Sequence, residues 1–130
     1  MAVCRKPADC QMLLKVTYHM SRSLAAEDVP QHLRNKLRIS AAQPAELVAQ
    51  LRGEGWKRAY IDGGAVIRAF LQAGLIQELT LTRVPVLLGS GRPLFGGLES
   101  DLRLHCVTSR QYPDGLVSTR YRVEGSRPDE

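Results

Sequence analysis

Aromatic residues make up only 5% of this 130-residue sequence, which leaves few platforms on which successive bases could stack. The 18 lysines and arginines outnumber 13 aspartates and glutamates, for a formal charge of +5. They are scattered rather than bunched, so no polycationic stripe is available. A moderately basic surface suits an anionic small molecule as well as a nucleic acid, and the shortage of aromatics favours the small molecule. Cysteine is scarce and odd in number: Cys4, Cys10 and Cys106 have no metal-ligand spacing, and free thiols in a cytosolic protein are the plain reading. The opening MAVCRKPADCQM is charged and never becomes the apolar core of an export signal. No apolar run approaches the length that crosses a membrane. Internal repeats and low-complexity stretches are lacking as well.

Catalytic constellations are equally sparse. His19, His32 and His105 have no partner at ligand spacing; His19 and His105 fall in strand-like stretches, where a partly buried, hydrogen-bonded histidine is the common case. There is no paired-carboxylate motif and no nucleophile elbow.

What is present is a change of period along the chain. Length points to one domain, with apolar content of 44% and charged content of 24% as in ordinary globular proteins. Leu13–Met20 reads as a strand, with Val16, Tyr18 and Met20 at period two. The following LAAEDVPQHLRNKLRIS is interrupted by Pro30 and reads as a connection containing a short helical turn. PAELVAQLRGEG predicts a helix: Pro44 suits the first turn, Glu46 the positive end, and Leu47, Val48 and Leu51 share a face. Gly53 and Gly55 stop it. Trp56–Asp62 is the next strand, and Val66, Ile67, Phe70 and Leu71 form the buried stripe of the helix after it, which closes at Gly74. Leu79, Leu81 and Val84 mark a further strand. Strand, helix and strand with such short links predict a right-handed parallel crossover. LRLHCVTSR and LVSTRYRV alternate around QYPDG, the turn chemistry of an antiparallel hairpin.

The glycine pair in YIDGGAVIRAF sits where a strand becomes a helix. A tight turn accounts for it, since glycine tolerates left-handed backbone. A phosphate accounts for it too, because a bare backbone at a helix N-terminus is an anion site. It lacks the three-glycine dinucleotide fingerprint, and from spacing alone the turn is the plainer reading. Asp62 reads as a cap on that turn, since its carboxylate would repel a phosphate.

The segment YIDGGAVIRAFLQAGLIQELTLTRVPVLLGSGRPLFGG resembles the C-terminal half of the bacterial reductases related to dihydrofolate reductase and to the reductase domain of the riboflavin-biosynthesis protein RibD. Upstream, KVTYHMSRSL is similar to the family's strand that ends in a Ser-Arg pair. The implied fold is α/β: a dihydrofolate-reductase-like mixed, mainly parallel sheet flanked by helices, with a C-terminal antiparallel hairpin. Such a domain covers 13–124, behind an N-terminal extension of 1–12 and before a disordered tail of 125–130.

The resemblance implies an NADPH-dependent reductase transferring hydride to a small, pterin- or pyrimidine-like substrate in the cytoplasm of a bacterium. Gly63, Gly64, Ala65 and Val66 would meet the cofactor's pyrophosphate, Ser21 and Arg22 its ribose 2′-phosphate, and Thr82 the substrate. No catalytic residue is assigned, and no metal, nucleic acid or membrane partner is expected. The family's N-terminal strands and helix are missing. The first family strand lies between the strands that correspond to Trp56–Asp62 and Glu78–Val84, and its region carries substrate contacts and, in dihydrofolate reductases, the carboxylate that assists protonation. Its absence leaves unpaired backbone that direct pairing of the flanking strands, a second copy of the chain or a separate polypeptide would cover, and a homodimer is the favoured expectation. The alternative function is a catalytically degenerate relative serving as an oligomeric binding or scaffold protein.

Overall fold

The computed structural model of the chain describes residues 2–4, 16–21, 23 and 25–125. The chain divides into two compact units, 1–69 and 70–130.

The first unit holds a four-stranded sheet in the order β3-β2-β1-β4. Its strands are β1 (Ala2–Cys4), β2 (Val16–Met20), β3 (Leu37–Ser40) and β4 (Arg58–Tyr60). β2 and β3 run parallel, with Met20 opposite Ser40, whereas β1 pairs antiparallel with both β2 and β4. β1 lies within the twelve residues read as an extension without a strand, and it takes the place between β2 and β4. β3 was missed because Pro30 and two three-residue 3₁₀ turns, Ala26–Asp28 and Gln31–Leu33, carry no helical or strand period. Val29, between those turns, is buried.

Helix α1 (Pro44–Gly53) follows the predicted bounds. Pro44, Leu47 and Leu51 are its buried residues, and Glu46 Oε2 accepts the Gln43 N–H at 3.0 Å, satisfying one orphan donor of the first turn. The stop is made by Gly55, whose φ of +82° no β-carbon-bearing residue adopts readily. Its turn lets Trp56 N–H reach Leu51 C=O at 3.0 Å.

A polar network ties α1 to the sheet. Arg38 Nη1 donates to the hydroxyl of buried Tyr18 at 3.0 Å and lies 3.8 Å from Glu54 Oε2. Glu54 also accepts from Gln50 Nε2 at 3.1 Å and Trp56 Nε1 at 3.0 Å. The Gln50 bond first, then that of Trp56, and to a lesser extent the Arg38 charge hold its carboxyl below the ordinary value of 4.5. A depressed acid contributes stability above its unfolded pKa and loses it as pH falls through the folded one. Stability is therefore expected to decline below pH 4.5, and Glu54→Gln to flatten that decline. Urea unfolding across the acid range checks this; an unchanged slope in the variant removes Glu54 from the account.

Helix α2 (Gly64–Gln72) runs through Ala69 in the first unit and continues from Phe70 in the second. Its end is a Schellman turn: Leu75 N–H bonds Phe70 C=O and Gly74 N–H bonds Leu71 C=O, each at 3.0 Å, with Gly74 at φ +67°. The second unit then forms an antiparallel sheet in the order β5-β7-β6, from β5 (Glu78–Arg83), β6 (Leu104–Gln111) and β7 (Val117–Val123). The hairpin of β6 and β7 turns where predicted, with Gly115 at φ +86° and Leu116 N–H on Asp114 Oδ1 at 3.2 Å. Among the described residues of the second unit, Phe70, Leu71, Ile76, Leu79 and Val123 are the buried apolar ones. On the opposite sheet face, Thr80 and Thr82 of β5, Arg120 and Arg122 of β7, and His105, Thr108 and Arg110 of β6 are exposed.

The mixed α/β class is as the sequence implies, but the parallel share is smaller. The crossover rule predicted that β4 and β5 run parallel; among the described residues they belong to separate sheets, β4 pairing with β1 and β5 with β7. β5 ends at Arg83, leaving Val84 outside the strand. His19 and His105 are both exposed rather than partly buried; His105 lies on an edge strand in which every residue but Val107 is exposed. The tail beyond residue 125 lies outside the described residues.

Candidate cofactor site

β2 and β3 leave their sheet at the same level. The parallel register sets Met20 beside Ser40, and Ser21 N–H extends the ladder by one bond to Ser40 C=O at 3.0 Å. From this rim the chain enters α1 through Ala41, Ala42 and Gln43. A ligand placed outside the carboxyl ends of parallel strands meets the amino ends of the helices that follow.

A pocket of about 300 Å³ opens there, lined by Met20, Ser21, Ser40–Pro44, Ala65, Val66 and Ala69, all in the first unit. That is room for about ten waters and sits at the small end of ligand sites. Two helices begin on it: α1 with Pro44, and α2 with Ala65 and Val66. The first N–H groups of a helix have no intrahelical acceptor, and each N-terminus carries a partial positive charge. The small side chains of Ala41, Ala42, Ala65 and Ala69 let a ligand approach that backbone. Ser21 and Ser40 add hydroxyls; Ser40 Oγ accepts the Ala42 N–H at 3.3 Å and Ser21 Oγ lies 3.3 Å from Ser23 Oγ. The lining residues include no titratable side chain. Among the described residues, no group of acids, histidines and cysteines is arranged to hold a metal ion, and no helix is long and apolar enough to cross a membrane.

The site residues named from the sequence divide accordingly. Ser21, Ala65 and Val66 meet in the pocket. Gly63 stands at the entry to α2: Ile67 N–H bonds its carbonyl at 2.9 Å, and its φ is +89°. A β-carbon there would touch nothing within 4 Å, so backbone conformation, not crowding, calls for glycine. Asp62 Oδ1 accepts the Gly63 N–H at 2.7 Å, the turn-capping role expected of it. Gly64 is the first residue of α2. Arg22 lies outside the described residues. Thr82 belongs to the second unit, where its hydroxyl donates to Ser118 Oγ at 3.2 Å.

Ser40 to Pro44 went unnoticed in the sequence. The signal was available: Leu37 and Ile39 alternate before Gln43-Pro44, a strand-turn-helix transition like that of Tyr60 to Ala65.

The RibD C-terminal domain family matches residues 3–118. Two Bacillus subtilis (strain 168) proteins are similar in sequence. The uncharacterized protein YyaP is 35% identical over 81 residues, covering 62% of this chain and 43% of that protein. The uncharacterized protein YwjB is 35% identical over 65 residues, covering 49% and 37%. The chain thus spans less than half the length of these curated relatives. A solved structure from Shewanella sp. PV-4, "Putative riboflavin biosynthesis protein", superposes with a TM-score of 0.79 at 36% identity, over 90% of this chain and 66% of its own. A pyrimidine reductase-like protein from Corynebacterium diphtheriae superposes at 0.60 and 22% identity, over 82% and 48%; that likeness speaks for the fold.

Proposed function

The chain belongs to the RibD C-terminal domain family, and from that premise we propose that it binds NADPH as part of a reductase acting on a small, pterin- or pyrimidine-like substrate. The observation that carries this reading is the convergence of two helix N-termini, α1 and α2, on one pocket at the carboxyl ends of β2 and β3. Their dipoles and the first N–H groups of α2 suit a pyrophosphate, and the lining is uncharged and mostly small and apolar, with the Ser21 and Ser40 hydroxyls among its polar groups. α2 would hold the phosphates through Gly64, Ala65 and Val66, with Ser21 and Ser40 bonding the adjoining ribose or phosphate oxygens. Arg22 is the residue proposed for the 2′-phosphate, which a guanidinium grips in bidentate fashion. Thr82 is proposed at the substrate.

When bound, the nicotinamide supplies a hydride for a C=N or C=O carbon, and a proton must reach the neighbouring nitrogen or oxygen. The chain's own contribution at this pocket is to bind and orient. With no titratable side chain in the lining, the proton is not delivered from there. That same lack favours a second reading, a relative that retains nucleotide binding in an oligomeric scaffold without turnover.

Calorimetric titration with NADPH separates the readings. Binding is expected, with thermal stabilisation that grows with ligand and reaches about 2.7 kcal/mol at a hundred times the dissociation constant. Binding without oxidation of NADPH by reducible pterins or pyrimidines supports the scaffold. No heat and no thermal shift at millimolar cofactor rejects both.

A further inference from the structure

Given the cofactor reading above, on which this rests, we infer that Tyr18 is a positioning residue of the pocket. Through Arg38 and Glu54, its hydroxyl holds the rim from Ser40 to Gln43 where the cofactor needs it. Tyr18 itself lines no part of the pocket.

The rim has little of its own to fix it. It joins β3 to α1, and among the described residues the four-residue β3 pairs with β2 alone. Its local bonds are those of Ser21 N–H to Ser40 C=O and of Ala42 N–H to Ser40 Oγ. Gln43 N–H is taken by Glu46 of α1. Where the rim stands therefore depends on how the end of β3 and the body of α1 are held relative to each other.

Tyr18 supplies that tie. The parallel register sets Tyr18 opposite Arg38 and Met20 opposite Ser40. Side chains alternate along a strand, so Tyr18 and Arg38 share the face of Met20 and Ser40, one step of roughly 7 Å behind the pocket. Tyr18 is 2% exposed. Its hydroxyl accepts from Arg38 Nη1 at 3.0 Å and bonds the Glu54 carboxylate at the end of α1. One buried oxygen on β2 thus links the strand before the rim to the helix after it. The direct path from Arg38 to Glu54 is 3.8 Å long and the Arg38 side chain is 56% exposed, a kind of pair that holds little alone. For packing, phenylalanine would fill the same space; the hydroxyl is what makes the link.

Tyr18→Phe keeps the ring and deletes that link. The full chain is titrated with NADPH, and amide exchange is followed in the unliganded chain. NADPH affinity is expected to fall about fivefold, within the range of couplings carried by packed networks. The amides of Ser21, Ala42 and Leu47 should exchange several-fold faster, while Ile67, on the α2 side, exchanges as in the parent. Arg38→Met breaks the same link from its exposed end and should weaken binding to a similar degree. Both substitutions together should do no more than either alone, because they remove one contact. Ile76→Val, a mild core loss in the second unit, should leave the affinity unchanged. Undiminished NADPH binding by Tyr18→Phe overturns the proposal while leaving the cofactor site standing. So does exchange that speeds up equally at Ile67, which is general loosening, or independent losses from the two substitutions. A parent chain that fails to bind NADPH rejects the cofactor reading and the role of Tyr18 with it.

Discussion

Replacing Ala65 with aspartate is expected to weaken NADPH binding by about a hundredfold or more while making the fold slightly more stable. Ala65 is the second residue of α2, is exposed, and lines the pocket. A carboxylate at that position suits the helix itself, because negative charge near an N-terminus is favourable by about 0.3–1 kcal/mol. The same carboxylate occupies the N–H groups a phosphate would use and repels it at contact distance, where the local dielectric is low. A hundredfold loss corresponds to about 2.7 kcal/mol, modest for a like-charge contact at a partly enclosed site. The opposed signs on stability and affinity are what make the variant informative. Calorimetry reads the affinity and thermal unfolding the fold, with Ala65→Ser as the conservative control that should bind nearly as the parent does. If Ala65→Asp binds NADPH like the parent, the phosphates do not sit at the start of α2, and the proposed site is wrong.

The elements that local chemistry specifies were legible in advance. Pro44 and Glu46 at one end and the glycines at the other bound α1, and Leu47 and Leu51 turned inward as their spacing required. The alternation of β6 and β7 around Pro113-Asp114-Gly115 gave the hairpin. Pairings set by distant residues were not legible. Whether β4 and β5 share a sheet is decided by which strand lies between them, and nothing within Trp56–Val84 encodes that. The parallel strand β3 is four residues long and sits behind turns without a period, so its partner β2 defines it more than its own composition does. The site was half visible for the same reason. The α2 side announces itself through Gly63 and Gly64. The α1 side requires knowing that Ser40 stands beside Met20, a contact across twenty residues. Likewise Arg38 and Glu54 meet only once β3 and the end of α1 are both placed.

Phe70→Ala is expected to cost about 3–5 kcal/mol, enough to remove a large part of the stability of a domain this size. Phe70 is 1% exposed and is one of five buried apolar residues among those described in the second unit, a core too small to collapse around the loss. The Schellman turn at Gly74 begins at its carbonyl, so the residue that fills the core also anchors the reversal of chain into β5. The aromatic ring and the backbone contribution can be told apart. Phe70→Leu keeps helix propensity and most of the apolar surface and should cost under about 1.5 kcal/mol. Gly74→Ala leaves the ring in place and strains a φ of +67°, at a cost of about 1 kcal/mol. Urea unfolding of the three variants gives the order directly, through shifts in midpoint at constant slope. An alanine variant that loses less than about 1 kcal/mol, beneath the usual cost of a buried large-to-small change, means that the second unit does not depend on the Phe70 ring. Its stability would then reside in the ladder of β5, β7 and β6 rather than in packing against α2.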